Sequence, residues 1–163
     1  MTSATIARLP DADVAGKRVV IRVDINAPIK AGQVTDGTRL EAIVPTVRHV
    51  LDQGGTPILL AHLGRPKGAH VPDLSLAILR APLAECLGTD VTFAAQLEAS
   101  AIVDGGVTLM ENVRFEPGEE ANDPAFAAQL AALGAVYVYD AFSCAHRALA
   151  STQGITAHLT SFA

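Results

Sequence analysis

Short apolar runs alternate with longer amphipathic stretches along most of the chain, and this alternation constrains the fold more than any other feature of the sequence. Val19 to Val23 is an apolar run broken only by Arg22 and reads as a strand. Thr38 to Gln53 carries Leu40, Ile43, Val44, Val47, Val50 and Leu51, the spacing of one helix face. Thr38 is placed to cap that helix and Gly54 to stop it, and Pro45 should kink it. Thr56 to Ala61 is a continuous apolar strand of the kind buried on both faces. Asp73 to Leu87 reads as a second helix, capped by Asp73, interrupted by Pro82 and stopped by Gly88. Val91 to Phe93 and Val107 to Met110 are short strands, with a short helix expected over 94–102. Asp123 and Pro124 open a third helix as cap and first residue, with Phe126, Leu130 and Leu133 on one face and Gly134 at its end. Ala135 to Tyr139 is the last strand. The order predicts an α/β fold: a three-layer, Rossmann-like parallel sheet with helices on both faces.

The 163 residues suit one domain, and a chain of this length can bury roughly 70% of its unfolded surface. Half the residues are hydrophobic, although 29 of them are Ala. Charged residues make up 18% and the net charge is -5, which excludes disorder, collagen and coiled coil. Without a basic excess, no nucleic-acid partner is expected. The longest apolar stretch, Leu130 to Tyr139, is ten residues. A membrane span needs about 20, so no membrane association is expected. Met1 to Pro10 lacks a signal-peptide pattern, and Cys86 and Cys144 form no CxxC, so a reduced, cytoplasmic setting is the expectation.

Ligands of parallel α/β sheets bind beyond the carboxyl ends of the strands. There the chain places Asp24-Ile25-Asn26, then His62-Leu63-Gly64-Arg65-Pro66-Lys67-Gly68, then Glu111-Asn112-Val113-Arg114-Phe115, and last Asp140-Ala141-Phe142-Ser143-Cys144-Ala145-His146-Arg147. Arg39 opens the first long helix. Nine of the twelve basic residues are Arg, the side chain whose planar fork grips carboxylate or phosphate. An acidic chain that gathers arginine at one edge should attract a small anion. Any one of these loops alone is more readily read as a solvated turn, and only the four together point to a site. There is no P-loop, no GxGxxG after a strand, no metal-ligand spacing and no nucleophile elbow. Such a site grips and polarises a charged ligand and forms no evident covalent bond to it.

These loops, in this order, resemble the phosphoglycerate kinase family. The resemblance rests on Arg22 to Pro28, Thr35 to Arg39, Ala61 to Gly68, Glu111 to Phe115, and Asp140-Ala141-Phe142 with Ala145-His146-Arg147, and extends from about Lys17 to Gln153. It implies reversible phosphoryl transfer between 1,3-bisphosphoglycerate and ADP, giving 3-phosphoglycerate and ATP. It further implies that 1–163 is the N-terminal, glycerate-binding domain, without the C-terminal domain that binds ATP or ADP with Mg²⁺. On that resemblance Asp24 and Asn26 would bond the hydroxyl and carboxylate end of the substrate. Arg65, Arg114 and Arg147 would grip the phosphate that is not transferred, with His62 and His146 beside them, and Arg39 would stabilise the phosphoryl group in flight. No residue is implied as a metal ligand. The full-length protein is expected to be a monomer and the isolated chain to lack turnover.

The departures from the family pattern are Ile25 and Ala27 for Phe and Val, Tyr139 for Asn, Ser143-Cys144 for Gly-Thr, and Leu149 for His. With the last loop so altered, an alternative is a non-catalytic domain of the same descent that binds another small anion. Among the remaining residues, His49 and His158 read as surface histidines and His70 as part of a loose loop. Cys144 reads as a packed thiol and Glu116 to Glu120 as a solvated acidic turn. Arg22 either points out of its strand or makes a structural ion pair.

Overall fold

The computed structural model describes residues 8–141 and 148–163. Six strands form one parallel sheet: β1 (Arg18–Val23), β4 (Thr56–Leu60), β5 (Val91–Ala94), β6 (Val107–Met110), β7 (Val136–Asp140) and β8 (Thr160–Phe162), in the spatial order β5-β6-β4-β1-β7-β8. β1 is central, with Val20 opposite both Ile58 of β4 and Tyr137 of β7. A small antiparallel hairpin, β2 (Ile29–Lys30) and β3 (Gln33–Val34), projects from the segment after β1.

The alternation of side chains along each strand divides the core in two. Val19, Ile21, Leu59, Leu109 and Val138 face one layer of helices. That layer is α1 (Thr38–Ala42), α2 (Val44–Asp52) and α3 (Arg80–Leu87), which contribute Leu40, Val47, Val50, Leu83 and Leu87. Val20, Ile58, Leu60, Met110 and Tyr137 face the other layer, where α5 (Pro124–Ala131) supplies Phe126, Ala127 and Leu130. A short helical turn, α4 (Pro117–Glu120), precedes α5. The three-layer parallel α/β architecture is the one the sequence predicts. The segments leaving β1 and β4 turn to the α1–α3 layer and the segment leaving β6 turns to the α5 layer, so the chain changes face between the neighbouring β4 and β6, the kind of edge where such sheets take ligands.

Several local expectations are corrected. The helix over 38–53 is not merely kinked but divided at Ile43, because Pro45 has no N–H for the Glu41 carbonyl. Instead the Ile43 N–H turns to that carbonyl. The helix expected from Asp73 begins as two 3₁₀ turns, and its cap is Ser75, whose Oγ accepts from the Ala77 N–H. Pro82 falls in the first turn of α3, where it is tolerated, and Gly88 ends that helix in the left-handed region at φ 70°. Only a 3₁₀ turn, Ala99–Ala101, forms within 94–102. Asp123 caps α5 as expected, accepting from the Ala125 N–H.

Candidate functional site

Three of the loops at the carboxyl edge, after β1, β4 and β6, are tied together through their polar groups. After β1, Asp24 Oδ1 accepts from the Asn26 N–H at 3.3 Å and from Arg39 Nη1 at 2.8 Å. Asn26 Oδ1 in turn accepts from the Gly64 N–H at 3.3 Å, which joins this loop to the one after β4. The Gly64 carbonyl accepts from Arg114 Nη1 at 3.1 Å, which brings in the loop after β6. One continuous hydrogen-bonded path therefore runs from Arg39 to Arg114 through three loops that lie far apart in sequence. Gly64 is needed at its centre. Its φ is 64°, and a Cβ there would stand 2.7 Å from Leu74 Cδ2.

The two arginines on this path differ in setting. The Arg39 side chain is 49% exposed and meets a less exposed Asp24, so an arriving anion would compete with Asp24 for the guanidinium. Arg114 is buried. Burial of a cation needs polar partners; the Gly64 carbonyl supplies one to the guanidinium, and Asn112 fixes the backbone around it. Asn112 Oδ1 accepts from the Arg114 N–H at 3.0 Å, while its amide donates to the Leu63 carbonyl at 2.8 Å and the Leu74 carbonyl at 3.0 Å. Glu111 closes the same turn, accepting from the Ser75 hydroxyl, the Leu76 N–H and the Asn112 N–H. The Gly68 N–H donates to the Arg114 carbonyl, so both ends of the segment 63–68 are pinned to the segment after β6.

His62 is buried beside Arg22, whose Nη2 lies 2.8 Å from His62 Nδ1. Arg22 is itself fully buried. It does not reach solvent, and among the described residues it touches no carboxylate directly. Its Nε donates to Ser151 Oγ at 2.9 Å, and Ser151 donates to Glu119 Oε2 at 2.5 Å. Glu119 Oε1 accepts from the Ser151 N–H at 2.7 Å. The expectation of a solvated acidic turn is thus wrong for Glu119, which is completely buried. Sequence reading missed Asn112 and Glu119 as functional supports. Asn112 stood in a quoted motif, whereas the only sign of Glu119 was an acidic residue inside a helical turn with no basic neighbour.

Arg65 is exposed on the segment after β4. His146, Arg147, Ser143 and Cys144 lie outside the described residues. A cleft of about 730 Å³ opens between the β2–β3 hairpin and residues 63–78. It shares Asn26 and Gly64 with the path above, but its other walls are mostly apolar or backbone and no arginine lines it. Among the described residues no group of three His, Cys, Asp or Glu could hold a metal ion, and no helix is long and apolar enough to cross a membrane. His70, expected in a loose loop, packs its ring on Phe115 with centroids 4.8 Å apart.

Asp140, at the end of β7, reaches toward Thr46, and its Oδ2 is buried without a hydrogen-bond partner among the described residues. Burial pushes its carboxyl above the ordinary aspartate value, and the Thr46 hydrogen bond only partly opposes this. A carboxyl raised in the fold favours the folded state at low pH, and that advantage is lost as pH rises through the folded value. Asp140→Asn should therefore raise the melting temperature at pH 7 and lose that gain below the ordinary aspartate range. Thermal unfolding at the two pH values measures it. A variant destabilised at pH 7 but not below the aspartate range would mean the carboxylate is well partnered.

A parallel three-layer α/β domain of this topology belongs to the Rossmann-like class, and its carboxyl edge carries one buried and one half-exposed arginine. The phosphoglycerate kinase family model matches residues 9–163. The chain is 56% identical to the phosphoglycerate kinase of Maricaulis maris over 165 residues, covering 97% of this chain and 41% of that protein. It is likewise 56% identical to that of Roseobacter denitrificans, over 93% of this chain and 39% of that one. Among solved structures, phosphoglycerate kinase from Coxiella burnetii superposes with a TM-score of 0.89 at 34% identity, over 97% of this chain and 41% of that chain. The chain belongs to the phosphoglycerate kinase family. It spans about two-fifths of the length of the curated relatives it matches.

Proposed function

We propose that this chain is the glycerate-binding, N-terminal domain of a phosphoglycerate kinase, which exchanges a phosphoryl group between 1,3-bisphosphoglycerate and ADP. The observation that carries this reading is the single path joining Asp24, Asn26, Arg39 and Arg114 across three strand ends. Asp24 and Asn26 would bond the hydroxyl and carboxylate end of 3-phosphoglycerate. Arg65, Arg114 and Arg147 would hold its phosphate with His62 and His146, and Arg39 would move from Asp24 to the phosphoryl group in transit. The carboxylate of 3-phosphoglycerate attacks the γ-phosphorus of ATP. The bond to the β,γ-bridging oxygen breaks, and ADP leaves with those electrons. The attacking group is already an anion, so no general base is needed, and positioning and charge stabilisation remain for the protein to supply. The nucleotide and its Mg²⁺ would be held by the part of the relatives outside the stretch that this chain matches.

Calorimetric titration of the pure chain with 3-phosphoglycerate and with Mg-ATP, each at low and moderate salt, tests the reading. Binding of 3-phosphoglycerate that weakens as salt rises, with none of Mg-ATP and no turnover of the pair, is the expected result. A folded chain silent toward 3-phosphoglycerate would overturn the glycerate assignment, and ATP turnover would overturn the division of labour.

A further inference from the structure

We propose that Glu119 and Ser151 are positioning residues that act through Arg22 to hold His62 as the tautomer with its proton on Nε2. Only the consequence for substrate rests on the function proposed above; the tautomer itself does not. Val20 and Arg22 alternate with Val19 and Ile21, so Arg22 lies on the α5 side of the sheet, in register with Leu60 of β4. His62 follows Leu60 by two residues, which sets the imidazole beside the guanidinium.

The direction of every hydrogen bond in this group is forced. Arginine has no acceptor, so Nη2 donates and His62 Nδ1 must accept. For the same reason Nε donates to Ser151 Oγ, and the serine proton goes to Glu119 Oε2. Glu119 also takes the Ser151 N–H, so both its oxygens accept. Among the described residues the guanidinium is also anchored by the Val23 carbonyl, 2.6 Å from Nη1. A buried cation without a direct counter-ion is thereby balanced by a buried carboxylate one serine away. With Nδ1 occupied as an acceptor, His62 presents an N–H on its other nitrogen, which is what an anion requires.

Glu119→Gln separates this role from mere packing. It keeps the shape and an oxygen for the Ser151 N–H, but its amide nitrogen would also donate to Ser151 Oγ. The serine proton then has no acceptor, and the arginine competes with the amide for the hydroxyl oxygen. A nitrogen-15 long-range correlation spectrum of the histidine rings, with His62 assigned by loss of its signal in His62→Gln, reads the tautomer without any ligand. The wild-type chain should show a single Nε2-protonated form, with a nitrogen–nitrogen coupling across the hydrogen bond to Arg22. Glu119→Gln and Ser151→Ala, both folded by circular dichroism, should show mixed tautomers and bind 3-phosphoglycerate about tenfold more weakly.

A wild-type proton on Nδ1, or no coupling to Arg22, overturns the proposal whatever the variants do. So does an unchanged tautomer in both folded variants. Failure of both variants to fold also overturns it, since a structural role would then suffice. If the wild-type chain binds no 3-phosphoglycerate, the function proposed above falls, and the ligand-free spectra still judge the tautomer.

Discussion

Asn112→Ala is expected to destabilise the chain by about 3–4 kcal/mol, because two buried backbone groups and one part-buried group lose their partner at once and each buried orphan costs about 1–3 kcal/mol. Those groups are the Arg114 N–H and the carbonyls of Leu63 and Leu74, all served by a side chain only 1% exposed. For a domain of this size such a loss lowers the melting temperature by on the order of 10 °C. Asn112→Asp should not rescue it, because a carboxylate cannot donate and would face two carbonyl oxygens. The damage reaches the candidate site by a specific route. Asn112 is one of the groups that join the segments after β4 and β6, and Arg114 reaches the Gly64 carbonyl across that junction. Affinity for 3-phosphoglycerate should therefore fall in whatever fraction of the variant stays folded. Urea unfolding and calorimetry check the two halves. A cost below about 1 kcal/mol would mean that water satisfies the three groups in place of the amide.

How legible the chain was depends on where each element finds its partners. β1, β4 and β6 are visible in the sequence because strands buried on both faces are mostly apolar, even with Arg22 inside β1. α5 is visible because its cap, Asp123, and its opening Pro124 are local. The start of the helix before Gly88 is not local. Glu111 takes the Leu76 N–H and the Ser75 hydroxyl from 35 and 36 residues away. The helix therefore starts where β6 delivers a carboxylate, and Asp73, the better-looking cap, goes unused. The β2–β3 hairpin turns on Ala31 and Gly32, at φ 52° and 74°, where the usual Asn-Gly or Asp-Gly signal is missing. β8 is three residues long and gains its strand character only by pairing with β7.

The candidate site was legible to the same degree. The side chains that would face a ligand are charged and follow strands, so sequence order alone collects them. The side chains that hold them are read only in three dimensions. Asn112 and Glu119 carry no surface signature, and Glu119 acquires its meaning from Ser151, 32 residues on, and Arg22, on the central strand. The binding groups are thus exposed in the pattern while their supports are hidden in it. Substitutions at the supports should be the ones that sequence inspection underrates.

Arg22→Met is the second large effect. Met fills much of the volume of the arginine stem, so the expected loss of about 3–5 kcal/mol comes chiefly from the charge that stays behind. That charge is Glu119, 0% exposed, with Ser151 still donating to it but with the cation gone. Neutralising Glu119 as well should return part of the loss. Arg22→Met with Glu119→Gln is expected to cost less than the sum of the single variants by about 1–3 kcal/mol, the coupling of residues in one polar network. The sign is the informative quantity. A buried pair worth only its packing gives additive losses. A pair whose members each become unpaired charges without the other gives a double variant more stable than the sum predicts. Urea unfolding of the four proteins measures the coupling, and strict additivity would show that Ser151 insulates the two charges instead of joining them.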